Sequence, residues 1–305
     1  MRILITGASG QVGLALTREL APVAELALAT RQEIDLSKPE TIAGKLDWLS
    51  PELIVNAAAY TAVDKAEEEA GLAFTVNAAA VGVLGEWAFR KSVPLIHFST
   101  DYVFDGVAAE PYSETHPVNP VSVYGRSKAE GERLLLQTAA PCLIVRTAWV
   151  YSPTGRNFLR TIVRLSGEKD ELAVVSDQIG TPTSSFQIAQ FVHRVIREGP
   201  PSCATLFERS SRLVHFTASG WTSWHGFASA IVDGMRRRGI AVKASNLRAI
   251  PSSDYPAPAR RPQFSRLSLA RLEQIFDFHP DPWESELGRV LDEMFGLKGP
   301  GGRGS

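Results

Sequence analysis

The chain has 305 residues, of which 44% are hydrophobic and 21% are charged, and its net charge at pH 7 is −1. A chain of this length can bury a large core, and its charge balance excludes the strongly basic field that nucleic-acid and anionic-membrane proteins carry. Cys142 and Cys203 are too few for a disulfide framework. No apolar stretch is expected to reach the roughly 18–20 residues of a membrane-spanning helix. We therefore expect a cytoplasmic globular protein with no nucleic-acid or membrane partner.

The first half of the chain alternates short apolar runs with segments of helical composition. The predicted strands are residues 2–6, 25–29, 53–58, 94–100 and 143–147. The predicted helices are residues 11–21, 39–49, 61–91 with a break near Thr75, and 122–139. Nearly continuous apolar strands are typical of a parallel sheet buried on both faces, and strand–helix alternation is typical of βαβ units. The pattern predicts an α/β fold with a doubly wound, parallel, Rossmann-type sheet in a dinucleotide-binding domain of residues 1–150.

This alternation becomes irregular after Tyr151. The predicted elements there are a strand at 171–178, a Ser- or Thr-capped helix near 185–198, a strand at 212–218 and a helix near 223–238. The Pro-rich stretch 251–263 is long enough to indicate a functional loop. We expect residues 151–298 to form mainly a smaller, mixed α/β substrate-binding lobe, from which some segments return to the first domain. Residues 299–305 are expected to be a disordered tail.

Three glycines, Gly7, Gly10 and Gly13, directly follow the first strand and precede an apolar-periodic helix. This context is typical of a dinucleotide fingerprint, in which glycines permit a tight turn and a close approach of the backbone to pyrophosphate. The helix N-terminus adds free N–H groups and a positive dipole end. The G-x-x-G-x-x-G spacing resembles that of the extended short-chain dehydrogenase/reductases. A strand–helix turn without a ligand is the alternative.

The end of the second strand indicates which dinucleotide binds. NAD-specific sites usually carry Asp or Glu there, which accepts a hydrogen bond from the ribose 2′-OH. This sequence has Thr30 and Arg31 instead, and an arginine with no carboxylate directly beside it can pair with a 2′-phosphate. Asp35 is expected near the adenine, alongside Leu36. We predict NADPH, with NADH as the alternative and a solvated Arg31 as the competing interpretation.

Tyr124 and Lys128 lie four residues apart in a predicted helix, so their side chains project from one face. A nearby ammonium lowers the pKa of a phenol, which suits Tyr124 to general acid–base chemistry, and it can also donate to the nicotinamide ribose. Thr100 ends the fourth strand, at the edge where open α/β sheets bind ligands. These three residues would surround a carbonyl group. The Tyr–Lys pair alone is equally compatible with an ordinary amphipathic helix.

Six sequence blocks carry a more specific resemblance. They are VNAAAYTAVDKAE (55–67), STDYVFDG (99–106), YGRSKAEGE (124–132), VRTAWVYSPTGRNF (145–158), SDQIGTPT (176–183) and PAPARRPQFSRL (256–267). In this order, and from Met1 to about Phe295, the chain closely resembles the dTDP-4-dehydrorhamnose reductases. The resemblance implies an NAD(P)H-dependent oxidoreductase that reduces the C4 ketone of dTDP-4-dehydro-6-deoxy-L-mannose to dTDP-L-rhamnose, with the dTDP-sugar as its partner.

The resemblance also implies roles for individual residues. Tyr124 would protonate the carbonyl oxygen, Lys128 would adjust Tyr124 and hold the ribose, and Thr100 would bind at the reacting centre. The family's cofactor contacts fall on Gly7, Gly10, Gln11, Val12, Asp35, Leu36, Ala57, Ala58, Ala59, Tyr124 and Lys128, to which we add Arg31. The family's deoxyhexose contacts fall on Thr100, Asp101 and Trp149.

The dTDP group is a dianion, and arginine in the Pro-rich loop is a suitable partner for it. Arg260 or Arg261 could supply a bidentate donor. Asn157, Gln178 and Thr181 are further candidates for the wall of the substrate cleft.

The sequence departs from the family at two places. A glutamate that takes part in a metal-linked dimer in some members is Ala15 here, so we expect neither a metal site nor a Mg²⁺-bridged dimer, and a homodimer of another kind stays open. The other departure is Thr30–Arg31, where some relatives carry Asp.

Two other functions remain open. One is another nucleotide-sugar enzyme, such as a 4-epimerase or a related ketoreductase, which shares the glycines and the Tyr–Lys pair but lacks the six blocks. The other is a non-catalytic regulatory subunit of the methionine adenosyltransferase type, in which the set Thr100, Tyr124 and Lys128 would be degraded.

Overall fold

The computed structural model describes residues 1–197 and 199–297, and the predicted tail at 299–305 lies outside them. The strands of these residues are β1 (Arg2–Thr6), β2 (Glu25–Ala29), β3 (Leu53–Asn56), β4 (Leu95–Thr100), β5 (Cys142–Thr147), β6 (Val150–Tyr151), β7 (Glu171–Val175), β8 (Ile179–Gly180), β9 (Thr183–Ser184), β10 (Leu213–His215), β11 (Thr222–Ser223) and β12 (Asn246–Ile250). The helices are α1 (Gln11–Leu20), α2 (Ile42–Leu49), α3 (Val63–Ala66), α4 (Ala70–Phe74), α5 (Ala80–Lys91), α6 (Val123–Gln137), α7 (Phe158–Glu168), α8 (Ser185–Ile196), α9 (Pro200–Arg209), α10 (Trp224–Arg237), α11 (Ala270–Phe276) and α12 (Trp283–Met294).

The main sheet has six parallel strands in the order β10-β5-β4-β3-β1-β2. Alternate residues of β1 belong to different cores: Ile3 and Ile5 pack with α1, α8, α9 and α11, whereas Leu4 packs with α2, α5 and α6. Helices therefore cover both faces, and the predicted doubly wound parallel sheet is confirmed. The winding direction reverses between β1 and β3, so a crevice opens at the carboxyl ends of these two strands.

The predicted helical segment at 61–91 is interrupted at a different place from the one expected, at residues 67–69 between α3 and α4. Residues 70–91 form one helix of 22 residues, which passes through a π-helical turn at Thr75–Ala79. The irregularity predicted near Thr75 is this π-helical turn and not a break: the helix continues through it, and the Thr75 hydroxyl donates to the carbonyl oxygen of Gly71, 2.8 Å away. By length and hydropathy this helix could span a membrane, which corrects the expectation that no such stretch exists. Half of its most apolar window, however, is buried in the protein, where the helix packs against the sheet, α2 and α6.

The C-terminal half is divided between two bodies. β10 joins the main sheet beside β5, and α8, α9 and α11 pack on that sheet. The remaining elements form a smaller mixed α/β body, in which β7 pairs with β12 and α7, α10 and α12 surround a core that includes Tyr151, Phe227 and Trp283. The predicted cap of α8 is Ser184, whose hydroxyl accepts a hydrogen bond from the backbone N–H of Gln187.

Both cysteines are buried and neither forms a disulfide bond, in agreement with the expectation that there is no disulfide framework. Apart from strands of two residues, five elements of the described C-terminal half were not predicted: α7, α9, α11, α12 and β12. α9 begins at two prolines, Pro200 and Pro201, which are unfavourable in the interior of a helix but well tolerated in its first turn. β12 has only one buried residue, Ile250, so it shows no apolar run.

Candidate active site

The turn between β1 and α1 is built around glycines that cannot be replaced without a clash. Gly7 has φ +64°, and a Cβ there would lie 2.8 Å from the Cα of Ala58. A Cβ on Gly13 would lie 2.2 Å from the carbonyl oxygen of Gly7. Because glycine has no Cβ, α1 can pack closely on β1. Gly10 is the N-cap residue of α1, and no side chain caps this helix. Its first backbone N–H groups are therefore available to an anionic ligand.

A cavity of about 1220 Å³ opens at this turn and runs along the carboxyl ends of β1 to β5; we call it the first cavity. All the predicted cofactor residues line it: Gly7, Gly10, Gln11, Val12, Arg31, Asp35, Leu36, Ala57, Ala58, Ala59, Tyr124 and Lys128. The buried hydroxyls of Ser99 and Thr147, on the same wall, have no hydrogen-bond partner among the described residues. A glycine cradle, an uncapped helix end and unpartnered polar groups together fit a bound dinucleotide.

The adenosine end of the first cavity differs from prediction in one respect. Arg31 was expected to have no carboxylate beside it, but its Nε lies 3.4 Å from Oδ1 of Asp35. The intervening turn folds back because Glu33 accepts a hydrogen bond from the backbone N–H of Thr30, 2.8 Å away. Hydrogen bonds from Ser37, and then the charge of Arg31, hold the pKa of Asp35 below its usual range. A 2′-phosphate would therefore compete with Asp35 for Arg31.

Three predicted residues meet at the middle of the first cavity. The Thr100 hydroxyl donates to Oδ1 of Asp101 at 3.0 Å, and Oδ2 of this buried carboxylate has no partner among the described residues. Burial raises the pKa of Asp101 to about 6. Burial also raises the pKa of Tyr124 to about 12, and a hydrogen bond with Thr100 acts in the opposite direction. Tyr124 is therefore a protonated phenol at neutral pH, which is the form that donates.

Lys128 does not act on Tyr124 in the predicted way. Its Nζ donates to the carbonyl oxygen of Phe98 at 2.6 Å and lies 3.3 Å from Nε2 of His97. The pKa of Tyr124 is raised, and the charge of Lys128 is not among its causes. Burial lowers the pKa of Lys128 itself to about 8, and the charge of Glu132 opposes this. The prediction that the ammonium lowers the phenol pKa is wrong for this structure, because burial outweighs any such effect.

Trp149 lies at the far end of the first cavity in a constrained conformation. Its φ is +47°, a value that is unfavourable for a residue with a side chain. Its ring stacks on Trp224, with centroids 3.5 Å apart and an interplanar angle of 5°. A Cβ on Gly180 would lie 2.5 Å from its Cε2 atom. Trp224 thus covers one face of the Trp149 indole. Both rings line the first cavity, where the stacked pair can contact a ligand.

A second cavity, of about 1120 Å³, is lined by the Pro-rich loop together with α7, β7 and β12, and shares Phe158 and Trp224 with the first. Arg260 lines it, is exposed, and has no hydrogen bond or ion pair with the described residues. Arg261 also lines it, but its Nη2 donates to Oδ2 of Asp64 at 2.7 Å. Of the two predicted arginines, Arg260 is therefore the one available to an anion. Gln178 lies on the same wall.

Two predicted residues have other contacts. Asn157 is the N-cap of α7, and its amide donates to Oε1 of Gln11 at 2.8 Å. It therefore connects the two halves of the chain beside the glycine turn, and it does not line either cavity. The buried Thr181 hydroxyl donates to the carbonyl oxygen of Gly220. Within residues 1–197 and 199–297, no group of three or more His, Cys, Asp or Glu side chains is placed to hold a metal ion.

Comparison with known proteins identifies this arrangement. Residues 1–295 match the family model described as RmlD substrate binding domain. The chain belongs to the dTDP-4-dehydrorhamnose reductase family. Over 297 residues it is 44% identical to the dTDP-4-dehydrorhamnose reductase of Burkholderia thailandensis, a match that covers 96% of this chain and 99% of that protein.

Two solved structures of the family share the fold. The dTDP-4-dehydrorhamnose reductase of Clostridium acetobutylicum superposes with a TM-score of 0.86 at 36% identity, and covers 97% of this chain and 100% of its own. The Bacillus anthracis enzyme, solved in complex with NADP, superposes with a TM-score of 0.85 at 31% identity, and covers 96% of this chain and 99% of its own.

Three site features were not predicted from the sequence. Trp224 and Phe158 line both cavities, and each is the first residue of a helix; Trp224 lies outside the six sequence blocks, whereas Phe158 ends the block 145–158 and was not assigned a role. His97 is buried beside Lys128. A histidine in the otherwise apolar strand PLIHFST was a signal for it, because a buried polar side chain requires a hydrogen-bond partner.

Proposed function

We propose that the chain is an NADPH-dependent dTDP-4-dehydrorhamnose reductase, which converts dTDP-4-dehydrorhamnose to dTDP-L-rhamnose. The observation that carries this proposal is the single cavity in which Thr100, Tyr124 and Lys128 share a wall with the glycine turn. The curated relatives with this activity match nearly the full chain, and one of the family's solved structures contains NADP. NADH is the alternative cofactor.

Bound NADPH would supply the hydride to C4 of the sugar. Tyr124 is protonated at neutral pH, so it can donate to the carbonyl oxygen as negative charge develops there. Thr100, which is hydrogen-bonded with Tyr124, would orient the same oxygen. Lys128 would donate to the ribose hydroxyls and hold the dinucleotide in place. The unpartnered Oδ2 of Asp101 would accept from a sugar hydroxyl.

The substrate would extend from the first cavity into the second. The stacked pair Trp149 and Trp224 lies where the two cavities meet, and an aromatic surface suits the C–H face of a deoxyhexose. Arg260 has no protein partner and would bind the diphosphate. Residues 1–150 would then bind mainly the dinucleotide and residues 151–298 mainly the sugar nucleotide. A cytoplasmic location and a homodimer are part of this proposal.

The test is to supply the purified protein with enzymatically made dTDP-4-keto sugar together with its 3,5-epimerase, and to follow oxidation of NADPH and, separately, of NADH. Tyr124→Phe is the matched variant, because it removes only the phenolic hydroxyl. We expect kcat to fall by about 10²–10⁴-fold, the usual contribution of a general acid, with little change in the affinity for NADPH.

Each outcome discriminates between the functions. NADPH oxidation that is lost in Tyr124→Phe, with dTDP-L-rhamnose as the product, supports the reductase. Interconversion of sugars without net oxidation of either cofactor would instead indicate a 4-epimerase. Tight dinucleotide binding with no turnover of any nucleotide sugar would contradict the proposal and favour a regulatory subunit.

A further inference from the structure

A row of buried polar side chains crosses the main sheet beneath the first cavity. Thr6, Asn56 and His97 are register partners on the neighbouring strands β1, β3 and β4, so their side chains point to the same face. The Thr6 hydroxyl lies 2.5 Å from Oδ1 of Asn56, whose Nδ2 lies 2.9 Å from Nδ1 of His97. Nε2 of His97 lies 3.3 Å from Nζ of Lys128. All four residues are almost completely buried.

The row also reaches the cofactor wall at its other end. The Thr6 hydroxyl accepts a hydrogen bond from the backbone N–H of Ala58, 3.4 Å away, and Ala58 lines the first cavity opposite Gly7. Lys128 lines the same cavity from α6. The row therefore connects the backbone beside the glycine turn with the lysine of the reaction centre.

The hydrogen bonds of this row have two self-consistent directions. In the arrangement of the structure, Asn56 donates to Nδ1, so the neutral imidazole of His97 carries its proton on Nε2 and directs it at Lys128. Only a neutral amine can accept that proton, because an ammonium ion has donors alone. If the Asn56 amide turns by half a rotation, Oδ1 accepts from Nδ1–H, and Nε2 becomes an acceptor for the Lys128 ammonium. Thr6 can serve either arrangement, because a hydroxyl both donates and accepts.

We propose that His97, oriented by Asn56, is a positioning residue for Lys128, and that the tautomer of its ring decides whether Lys128 is held as an ammonium ion or as a neutral amine. The inference rests on the proposed function, since it concerns how that site holds its cofactor. A charged Lys128 can donate simultaneously to the carbonyl oxygen of Phe98, to His97 and to a ribose hydroxyl. The neutral form accepts from His97 and retains only two donors.

The other charged groups around Lys128 do not by themselves fix its protonation state. On its own helix, α6, Glu132 favours the ammonium form, but this carboxylate accepts hydrogen bonds from Nε and Nη2 of Arg146 from β5, at 2.9 Å and 2.6 Å. Tyr124, also on α6, is a neutral phenol at neutral pH. From β4, His97 is held neutral, because burial and the charge of Lys128 both lower its pKa well below the ordinary range. The Lys128 pKa of about 8 places the change of form within the range of an ordinary assay.

The test measures NADPH binding by quenching of tryptophan fluorescence, from about pH 6 to about pH 10, a range that spans the lysine ionisation. This measurement needs no sugar, so it remains informative even if the protein fails to reduce dTDP-4-dehydrorhamnose. For the wild type we expect affinity to be highest below the Lys128 pKa and to fall as the pH rises through it, because the ammonium donates to the ribose.

The first variant is Asn56→Asp. A carboxylate can only accept, so it fixes the proton of His97 on Nδ1 and leaves Nε2 as an acceptor for the ammonium ion. We expect the alkaline fall in NADPH affinity to move to higher pH by about one unit, a tenfold change in the ionisation of Lys128. In the double variant Asn56→Asp/His97→Leu, compared with His97→Leu alone, this displacement should disappear. A displacement of the same size with and without His97 would overturn the inference, because the new charge would then act through space.

A second pair avoids placing a charge in the core. His97→Gln keeps an amide oxygen that can accept a hydrogen bond from Lys128, whereas His97→Leu keeps no hydrogen-bonding group at this position. We expect the alkaline fall in NADPH affinity in His97→Gln to remain within a few tenths of a pH unit of wild type. In His97→Leu it should move to lower pH, and NADPH should bind more weakly, because Lys128 loses a charge-assisted hydrogen bond. Equal pH profiles for the two variants, with any difference confined to thermal stability, would mean that His97 is only a packing residue and would overturn the inference.

Discussion

The two cavities are built in different ways, although one substrate would occupy parts of both. The first cavity repeats one local pattern: a buried strand ends, and the next few residues face the ligand, as Gly7 does after β1, Arg31 after β2, Ala57 after β3 and Thr100 at the end of β4. The second cavity has no such repeat. Its wall combines one face of α7, one side of the pair β7 and β12, and the Pro-rich loop.

The chemistry of the two cavities differs accordingly. The first offers backbone N–H groups and buried polar side chains with displaced pKa values, including Asp101, Tyr124 and Lys128. The second offers exposed cations such as Arg260 and Arg248. A buried site depends on exact backbone geometry, whereas an exposed charged site tolerates change. Substitutions should therefore have larger effects in the first cavity than in the second.

The largest effect is expected for Gly7→Ala. The new Cβ would require φ +64° and would lie 2.8 Å from the Ala58 backbone, so we expect a loss of about 2–5 kcal/mol in the free energy of unfolding and a loss of NADPH binding. Gly44→Ala is the matched control, because Gly44 lies in α2 with no atom within 4 Å of its added Cβ. It should gain about 0.5–1 kcal/mol. Chemical denaturation of both variants measures this, and an equal effect at the two sites would contradict it.

Lys128→Met should make the protein more stable and less active. Burial lowers the Lys128 pKa from 10.5 to about 8, so the folded state is disfavoured by the buried ammonium wherever the unfolded chain still holds that proton. At about 1.4 kcal/mol per pKa unit, the variant should gain up to about 3 kcal/mol at neutral pH. The gain is complete below about pH 8 and is lost as the pH rises towards the ordinary lysine pKa.

Denaturation of Lys128→Met and wild type at several pH values, together with steady-state kinetics, measures both effects. We expect activity to fall by about 100-fold or more, the low end of an acid–base contribution. If the stability gain of Lys128→Met over wild type is smaller at neutral pH than at alkaline pH, the sign of this effect is contradicted.

A smaller effect is expected in the second cavity. Arg260→Ala should raise KM for the dTDP-sugar by about tenfold or more, because hydrogen bonds to charged groups contribute about 1.5–3 kcal/mol, and it should leave the affinity for NADPH unchanged. Arg237→Ala is the matched control, since Arg237 is exposed on α10 and lines neither cavity. If both variants retain the wild-type KM, Arg260 does not bind the substrate.

The smallest effect is expected at the adenosine end of the first cavity. Arg31 is exposed and pairs with Asp35, so Arg31→Ala should lower the preference for NADPH over NADH by no more than about fivefold, as for an exposed ion pair. Asp35→Asn removes the competing carboxylate and should strengthen that preference. Values of kcat/KM for the two cofactors measure both changes, and an unchanged ratio in Arg31→Ala would show that another residue selects the cofactor.

Most of the first cavity could be predicted because its residues follow strand ends directly. The positions of the strands along the chain, the glycine turn and the position of Thr100 all depend on local sequence patterns, and each is found where it was expected. Local patterns failed where a side chain meets a residue far away in sequence. The hydrogen bond from Asn157 to Gln11 and the stacking of Trp149 on Trp224 are contacts of this kind.

The sequence by itself determined the class of fold and the glycine cradle, because strand periodicity and the need for a residue without a Cβ are properties of short segments, and it supplied Thr100, Tyr124 and Lys128 as the candidates for a catalytic set. Only the tertiary structure decided the ionisation of that set. Burial raises the pKa of Tyr124 and lowers that of Lys128, and it also aligns Thr6, Asn56 and His97 across three strands. A pKa depends on the water removed and the partners gained when distant segments pack together, and no short stretch of sequence contains that information.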